Sequence, residues 1–161
     1  MGVGGAAVLT ISDSVAAGLK EDQSGPAVRD RLLASGWAVP MMSVVPDEAE
    51  RIVEWLVQAV DSGKVDAIFT TGGTGLAARD VTPEATRLVI EREIPGIAEK
   101  MRWEGTRHTP LAALSRAVAG VRGRVLIVNL PGSPKGAVES LDAIVELAPH
   151  IVQLLHGNTA H

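Results

Sequence analysis

The segment from Val65 to Glu84 leaves the backbone few possible courses. A largely apolar run, Val65 to Phe69, reads as a buried strand and leads at once into Thr70-Thr71-Gly72-Gly73-Thr74-Gly75. Arg79-Asp80-Val81 follows, and then Thr82-Pro83-Glu84 reads as an N-cap with proline at the first helical position. Strand, glycine loop and helix therefore succeed one another within twenty residues. Glycines at such a crossing let a ligand approach the backbone, and successive N–H groups can form a concave nest for an anion. Thr71, Gly72, Gly73, Thr74 and Gly75 are accordingly candidate phosphate-binding residues. No Gly-Lys-Ser/Thr follows, so this is not a P-loop. The plain alternative is a glycine turn with Asp80 introducing a helix.

Composition supports an alternating α/β chain. Hydrophobic residues make up 46% of the sequence but aromatic residues only 2%, so the core is built from Val, Ile, Leu and Ala. Layers of strand and helix accept such side chains more readily than an aromatic-rich sandwich does. The 161 residues suit one domain spanning 1–161. The net charge of −4, with no basic run, speaks against nucleic acid or an anionic membrane surface as partner. There is no cysteine for disulfides or thiolate-held metals, and no long apolar span. A cytoplasmic location is expected.

Along the chain, Met1 to Gly5 carries no structural signal, and Ala6 to Ile11 reads as a first strand closed by Ser12-Asp13-Ser14. The next ten residues read as loop. A helix opens at Ser24-Gly25-Pro26, turns Val28, Leu32 and Leu33 inward and ends at Gly36. Trp37 to Val45 is a second strand, broken by Pro46. Asp47-Glu48-Ala49-Glu50 reads as a capping box before a helix with Ile52, Val53, Leu56, Ala59 and Val60 on its apolar stripe. Three parallel strands joined by two helices result. Right-handed crossovers bring Ser12-Asp13-Ser14, Asp47 and the glycine loop to one sheet edge, where open α/β sheets bind ligands. The predicted class is a three-layer α/β fold, mostly parallel, with helices on both faces.

Beyond Thr82 a helix is expected to about Arg92, then another from Pro95-Gly96 carrying Ile97, Met101 and Trp103, and a short helical turn at Thr109-Pro110-Leu111. Arg122-Gly123 reads as a hairpin turn into Val125 to Leu130. Pro131-Gly132-Ser133-Pro134-Lys135-Gly136 is a second small-residue loop entering a helix, bent by Pro149. His108, His150, His156 and His161 do not share a metal-binding spacing and read as surface residues.

These motifs resemble a known family, the molybdopterin adenylyltransferases of the MogA type, a domain also found in gephyrin and the plant protein Cnx. The resemblance rests on Ser12-Asp13-Ser14, Asp22 to Pro26, Val45-Pro46-Asp47, Thr70 to Pro83 and Thr109 to Lys135. It implies adenylylation of molybdopterin by Mg-ATP with release of pyrophosphate, in a homotrimer that passes its product to a molybdenum-insertion enzyme. It matches the family's two active-site aspartates to Asp47 and Asp80. It also implies pterin and phosphate contacts from Ser115, Pro131, Gly132 and Ser133. A related MoaB branch shares the fold, and a non-catalytic molybdopterin carrier or scaffold is the rival expectation.

The residue types suit that chemistry. Two polyanions must meet on a protein of negative net charge. Backbone N–H nests and the cations Arg79, Arg116 and Lys135 are the candidates to hold them. Carboxylates beside phosphates make sense as hard oxygen ligands, so Asp47 and Asp80 are expected to bind Mg²⁺ directly or through water. A phosphate nucleophile is already ionised at neutral pH, so no strong general base is needed.

Overall fold

In the computed structural model, which describes residues 2–159, the strands form one six-stranded sheet in the order β2-β1-β3-β6-β5-β4. These are β1 (Gly4–Ile11), β2 (Trp37–Val45), β3 (Ala67–Thr71), β4 (Arg92–Glu93), β5 (Ala119–Arg122) and β6 (Val125–Leu130). β1 pairs in parallel with β2 and β3, and β3 with β6, whereas β5 is antiparallel to both β4 and β6. The mostly parallel sheet and the hairpin at Arg122-Gly123 match expectation. His161 lies outside the described residues, as does Met1 of the lead-in.

Strand periodicity builds the three layers. In β1, β3 and β6, residues Ala6, Val8, Ala67, Phe69, Leu126, Val128 and Leu130 face one apolar cluster, which α2 (Ser24–Ala34), α5 (Pro95–Gly105), α6 (Pro134–Ile144) and α7 (Ala148–Leu155) complete. The alternate residues Ala7, Leu9, Ile11, Ile68, Val125 and Ile127 face a second cluster under α3 (Ala49–Asp61) and α4 (Thr82–Val89). A strand buried on both faces has no polar side to show, hence the continuous apolar runs.

The structure corrects several local expectations. Ser12 is not merely a strand end: its hydroxyl accepts the N–H of Val15 and caps a short helix, α1 (Asp13–Ala16), where a loop was expected. The capping box at Asp47 does not form, because the N-cap position falls on Glu48 and no side chain caps the helix. Thr82 is the first residue of α4 rather than its cap, and its hydroxyl donates to the Gly72 carbonyl at 2.9 Å. α4 stops at Val89 because Ile90 turns extended, which lets Arg92 and Glu93 pair with the sheet edge as β4. Leu33 and Trp103 face outward, Trp103 with 68% of its surface exposed. A break does precede Pro149, between α6 and α7.

Candidate active site

β2 and β3 lie on opposite sides of β1, so the chain reverses its winding between β1 and β3. Ligands of open α/β sheets bind outside the strand ends at such a point. A polar crevice of about 210 Å³ opens there, lined by Ser12 after β1, Asp47 after β2, Thr71, Gly72, Gly73 and Asp80 at and after the end of β3, and Gly132 after β6. Residues drawn from four strand ends thus face one volume.

Asp47 and Asp13 are tied to each other. The Asp13 N–H donates to Asp47 Oδ2 at 2.8 Å, and the Asp47 N–H donates to Asp13 Oδ1 at 2.9 Å. Arg79 closes on Asp13 in a bidentate pair, Nε to Oδ2 at 2.9 Å and Nη2 to Oδ1 at 2.8 Å. The guanidinium holds the Asp13 carboxyl below its usual range. Asp47 moves the other way: burial raises its pKa, and the charges of Asp13 and Asp80 add to the effect. Asp80 accepts the Ala77 N–H through Oδ2 at 2.9 Å.

Metal binding can be tested on these donors. Asp47 Oδ1 and Asp80 Oδ1 receive no hydrogen bond from the described residues. No group of three or more His, Asp or Glu side chains there forms a closed metal cage. Two open carboxylate oxygens beside a phosphate-sized crevice fit Mg²⁺, which binds through one or two carboxylates and completes its shell with water and phosphate.

The glycine loop is held open by its own geometry. Gly72 has φ +105°, and a Cβ there would lie 2.2 Å from the Ile11 carbonyl oxygen. The loop after β6 is knit to it: Thr71 Oγ1 donates to the Pro131 carbonyl at 2.6 Å, and the Gly72 N–H donates to the Leu130 carbonyl at 3.1 Å. The N–H groups of Gly73, Thr74, Gly75, Gly132 and Ser133 donate to nothing among the described residues. These two touching loops thus keep five backbone donors available for an anion.

A second, apolar cleft of about 490 Å³ lies across these loops. Thr74, Gly75, Ser115, Pro131 and Ser133 line it together with Leu76, Leu111, Leu114, Ser140 and Glu139. The structure thus divides the expected site residues between two neighbouring clefts. Ser14 lines neither cleft, though its hydroxyl is 3.2 Å from that of Ser12, and Asp13 faces a separate depression beside α1. Lys135 is solvent-exposed on α6, 3.9 Å from Glu139.

Arg116 serves the loop rather than the open crevice. Its Nε donates to the Gly75 carbonyl and its Nη2 to the Asp80 carbonyl, each at 2.7 Å, while Nη1 pairs with Glu84 at 2.6 Å. It clamps both ends of the segment that carries Asp80.

Sequence reasoning missed Thr10, Lys20 and Asp22, which line the polar crevice. Asp22 accepts from Thr10 Oγ1 at 2.9 Å and from the Gly25 N–H at 3.0 Å. The signal available was an aspartate three residues before a glycine at a helix start. Leu76, Leu111 and Leu114 were also missed; large apolar residues in otherwise polar segments were their signal.

The sequence and the fold have counterparts among known proteins. Residues 7–150 match the family model described as a probable molybdopterin binding domain. The chain is 41% identical over 154 residues to the molybdopterin adenylyltransferase of Helicobacter pylori strain J99, covering 94% of this chain and 87% of that protein. It is 39% identical over 153 residues to the Escherichia coli K12 protein of the same name, covering 93% and 77% respectively. Among solved structures, the molybdopterin biosynthesis enzyme MoaB from Thermus thermophilus superposes with a TM-score of 0.90 at 50% identity, covering 95% of this chain and 96% of that one.

Proposed function

The chain belongs to the molybdopterin-binding domain family, and on that premise we propose that it is a molybdopterin adenylyltransferase, with residues 1–161 acting as one domain. The terminal phosphate oxygen of molybdopterin attacks the α-phosphorus of ATP. The bond to the β-phosphate breaks, and pyrophosphate leaves. The observation that carries this reading is the pairing of free backbone donors, those of Gly73 and Gly132, with two carboxylates, Asp47 and Asp80, at one strand-end crevice, with the free N–H groups of Thr74, Gly75 and Ser133 next to them in the same two loops. A carrier would gain nothing from carboxylates set beside its ligand's phosphate.

The residues divide the work. N–H groups of Gly73, Thr74 and Gly75 on one loop, and of Gly132 and Ser133 on the other, bind phosphate oxygens and orient them for attack. Asp47 and Asp80 would hold Mg²⁺, which when bound neutralises phosphate charge and favours departure of pyrophosphate. Ser12, Ser14, Ser115 and Lys135 supply further polar contacts at the margins. Arg79, freed from Asp13, can turn to a phosphate; Arg116 keeps the Asp80 segment in place. Positioning and charge stabilisation suffice for a step whose nucleophile is already ionised.

The test is direct. Incubated with molybdopterin, ATP and Mg²⁺, the protein should release pyrophosphate and form molybdopterin-AMP, and chelation should stop both. Release that persists undiminished in chelator would remove Asp47 and Asp80 from the metal role. No release under any condition would leave the carrier reading. We further propose a cytoplasmic homotrimer that hands its product to a molybdenum-insertion enzyme; neither nucleic acid nor membrane enters the scheme.

A further inference from the structure

The apolar cleft holds a carboxylate that the proposed reaction does not use. Glu139, on the second turn of α6, lines the cleft with its side chain only 21% exposed. Its carboxylate accepts no hydrogen bond from the described residues. His108 Nδ1 at 3.7 Å and Lys135 Nζ at 3.9 Å both approach Oε1, which leaves Oε2 without a donor. Around it the walls are Leu76, Leu111 and Leu114. Two largely buried residues on the same wall, Thr74 and Ser140, carry hydroxyls that make no hydrogen bond among the described residues. A part-buried carboxylate whose Oε2 has no donor can accept hydrogen bonds from a ligand seated in the cleft.

We propose that Glu139 is a specificity-determining residue that reads the amino-bearing edge of the pterin ring, seating that ring in the apolar cleft. This rests on the adenylyltransferase reading. A 2-amino-4-oxo pyrimidine edge offers two adjacent donors, the exocyclic amine and the ring N–H, then a carbonyl acceptor. A carboxylate accepts both donors side by side, and the flanking Lys135 ammonium can donate to the carbonyl. Adenine fits the same group badly, because its amine lies beside ring nitrogens that carry lone pairs. The planar ring then fills the space between the leucines. The phosphate end of the molecule points toward the glycine loops, and the triphosphate is left the polar crevice with Asp47 and Asp80.

The experiment measures binding, which does not require turnover. Pterin, 2,4-dioxopteridine and AMP are titrated separately against the intact protein and against Glu139→Gln. The wild type should bind pterin and discriminate against the dioxo compound, which presents a carbonyl where pterin presents its amine. Glu139→Gln should weaken pterin binding by about 10- to 100-fold, the loss of one charge-assisted bidentate contact. AMP affinity should not change, and the melting temperature should hold, since Gln is as good a helix residue as Glu. Equal pterin binding by the variant overturns the proposal, and so does a loss confined to AMP, which would seat adenine in this cleft. Turnover separates the two readings. Glu139-dependent pterin binding without pyrophosphate release would sink the transferase and leave the pterin seat standing. Pyrophosphate release with an unchanged KM for molybdopterin in Glu139→Gln would do the reverse.

Discussion

Asp13 and Asp47, on segments that follow different strands, each donate a backbone N–H to the other's carboxylate, at 2.8 and 2.9 Å. This reciprocal pair sets the two segments at a fixed separation, and its two carboxyls shift in opposite directions. Asp13 is lowered by the Arg79 guanidinium, and Asp47 is raised by burial.

Replacement of Asp47 should therefore separate stability from activity. A carboxyl whose folded pKa is raised favours the folded state below its unfolded value, and that contribution is lost as pH rises through the folded value. Above it, the ionised Asp47 is a liability that Asn does not share. Asn can still accept the Asp13 N–H. Asp47→Asn should melt at or above the wild-type temperature at pH 7, with the difference opening as pH rises from the unfolded value near 3.8 and closing below it. Turnover should fall at the same time. Thermal melts between pH 3 and 8 with parallel rate measurements check this, and a variant less stable than the wild type at neutral pH would contradict it.

Asp80→Asn should act mainly on rate. The side chain keeps its size, and its amide oxygen can still accept the Ala77 N–H. Turnover should drop by ~10²-fold or more, the scale of losing one electrostatic stabiliser. Pterin affinity and melting temperature should scarcely move. Normal turnover would return Asp80 to a purely structural place in its turn.

Two glycines give a paired test of the loop. Gly123 has φ +57° with open space where a Cβ would go, whereas the same atom at Gly72 would strike the Ile11 carbonyl oxygen at 2.2 Å. Gly123→Ala should cost about 1 kcal/mol from backbone strain alone. Gly72→Ala adds the clash and should cost roughly 3 kcal/mol or more. Denaturant unfolding of both variants measures the difference. Equal costs would mean that the β1 end yields freely.

Assembly can be read by sedimentation. Leu88 and Trp103 are 74% and 68% exposed, an unusual display of large apolar side chains in a chain so short of aromatics. Sedimentation at micromolar concentration should give about three chains per particle. A clean monomer would remove the trimer from the proposal.

Much of the architecture was legible because the central strands are buried on both faces. Ala6 to Ile11 and Val125 to Leu130 are mostly apolar and wholly buried, so position and class followed from composition. The hairpin was legible from Arg122-Gly123, where glycine takes a positive φ. Two-residue β4 was not, since Arg92 and Glu93 carry no strand pattern and pair only because β5 offers an edge. The capping box at Asp47 failed for a related reason. Its motif is local, but the aspartate is claimed by the Asp13 N–H from another segment. The expected site residues converge only in part. Asp47, Asp80 and the glycines were marked by strand ends, whereas Glu139 and the leucines of the apolar cleft come together by tertiary packing that no spacing encodes. Arg116 shows the same limit: its charge suggested a ligand, and the fold turns it on the Gly75 and Asp80 carbonyls.

Pro131 and Ser133 line the apolar cleft while Gly132 between them lines the polar crevice, so one loop partitions the two. A Cβ on Gly132 would sit 3.3 Å from the Gly72 Cα, so the loops after β6 and β3 touch main chain to main chain. Any side chain added there would widen the gap between whatever occupies either side. Reactions between two bound molecules are acutely sensitive to such separation, and a misplacement of about 1 Å can cost ~10²-fold in rate. Glycine at these positions thus sets the reach of one substrate toward the other. Thickening the partition at Gly132 would leave each compartment able to fill while the two occupants no longer meet.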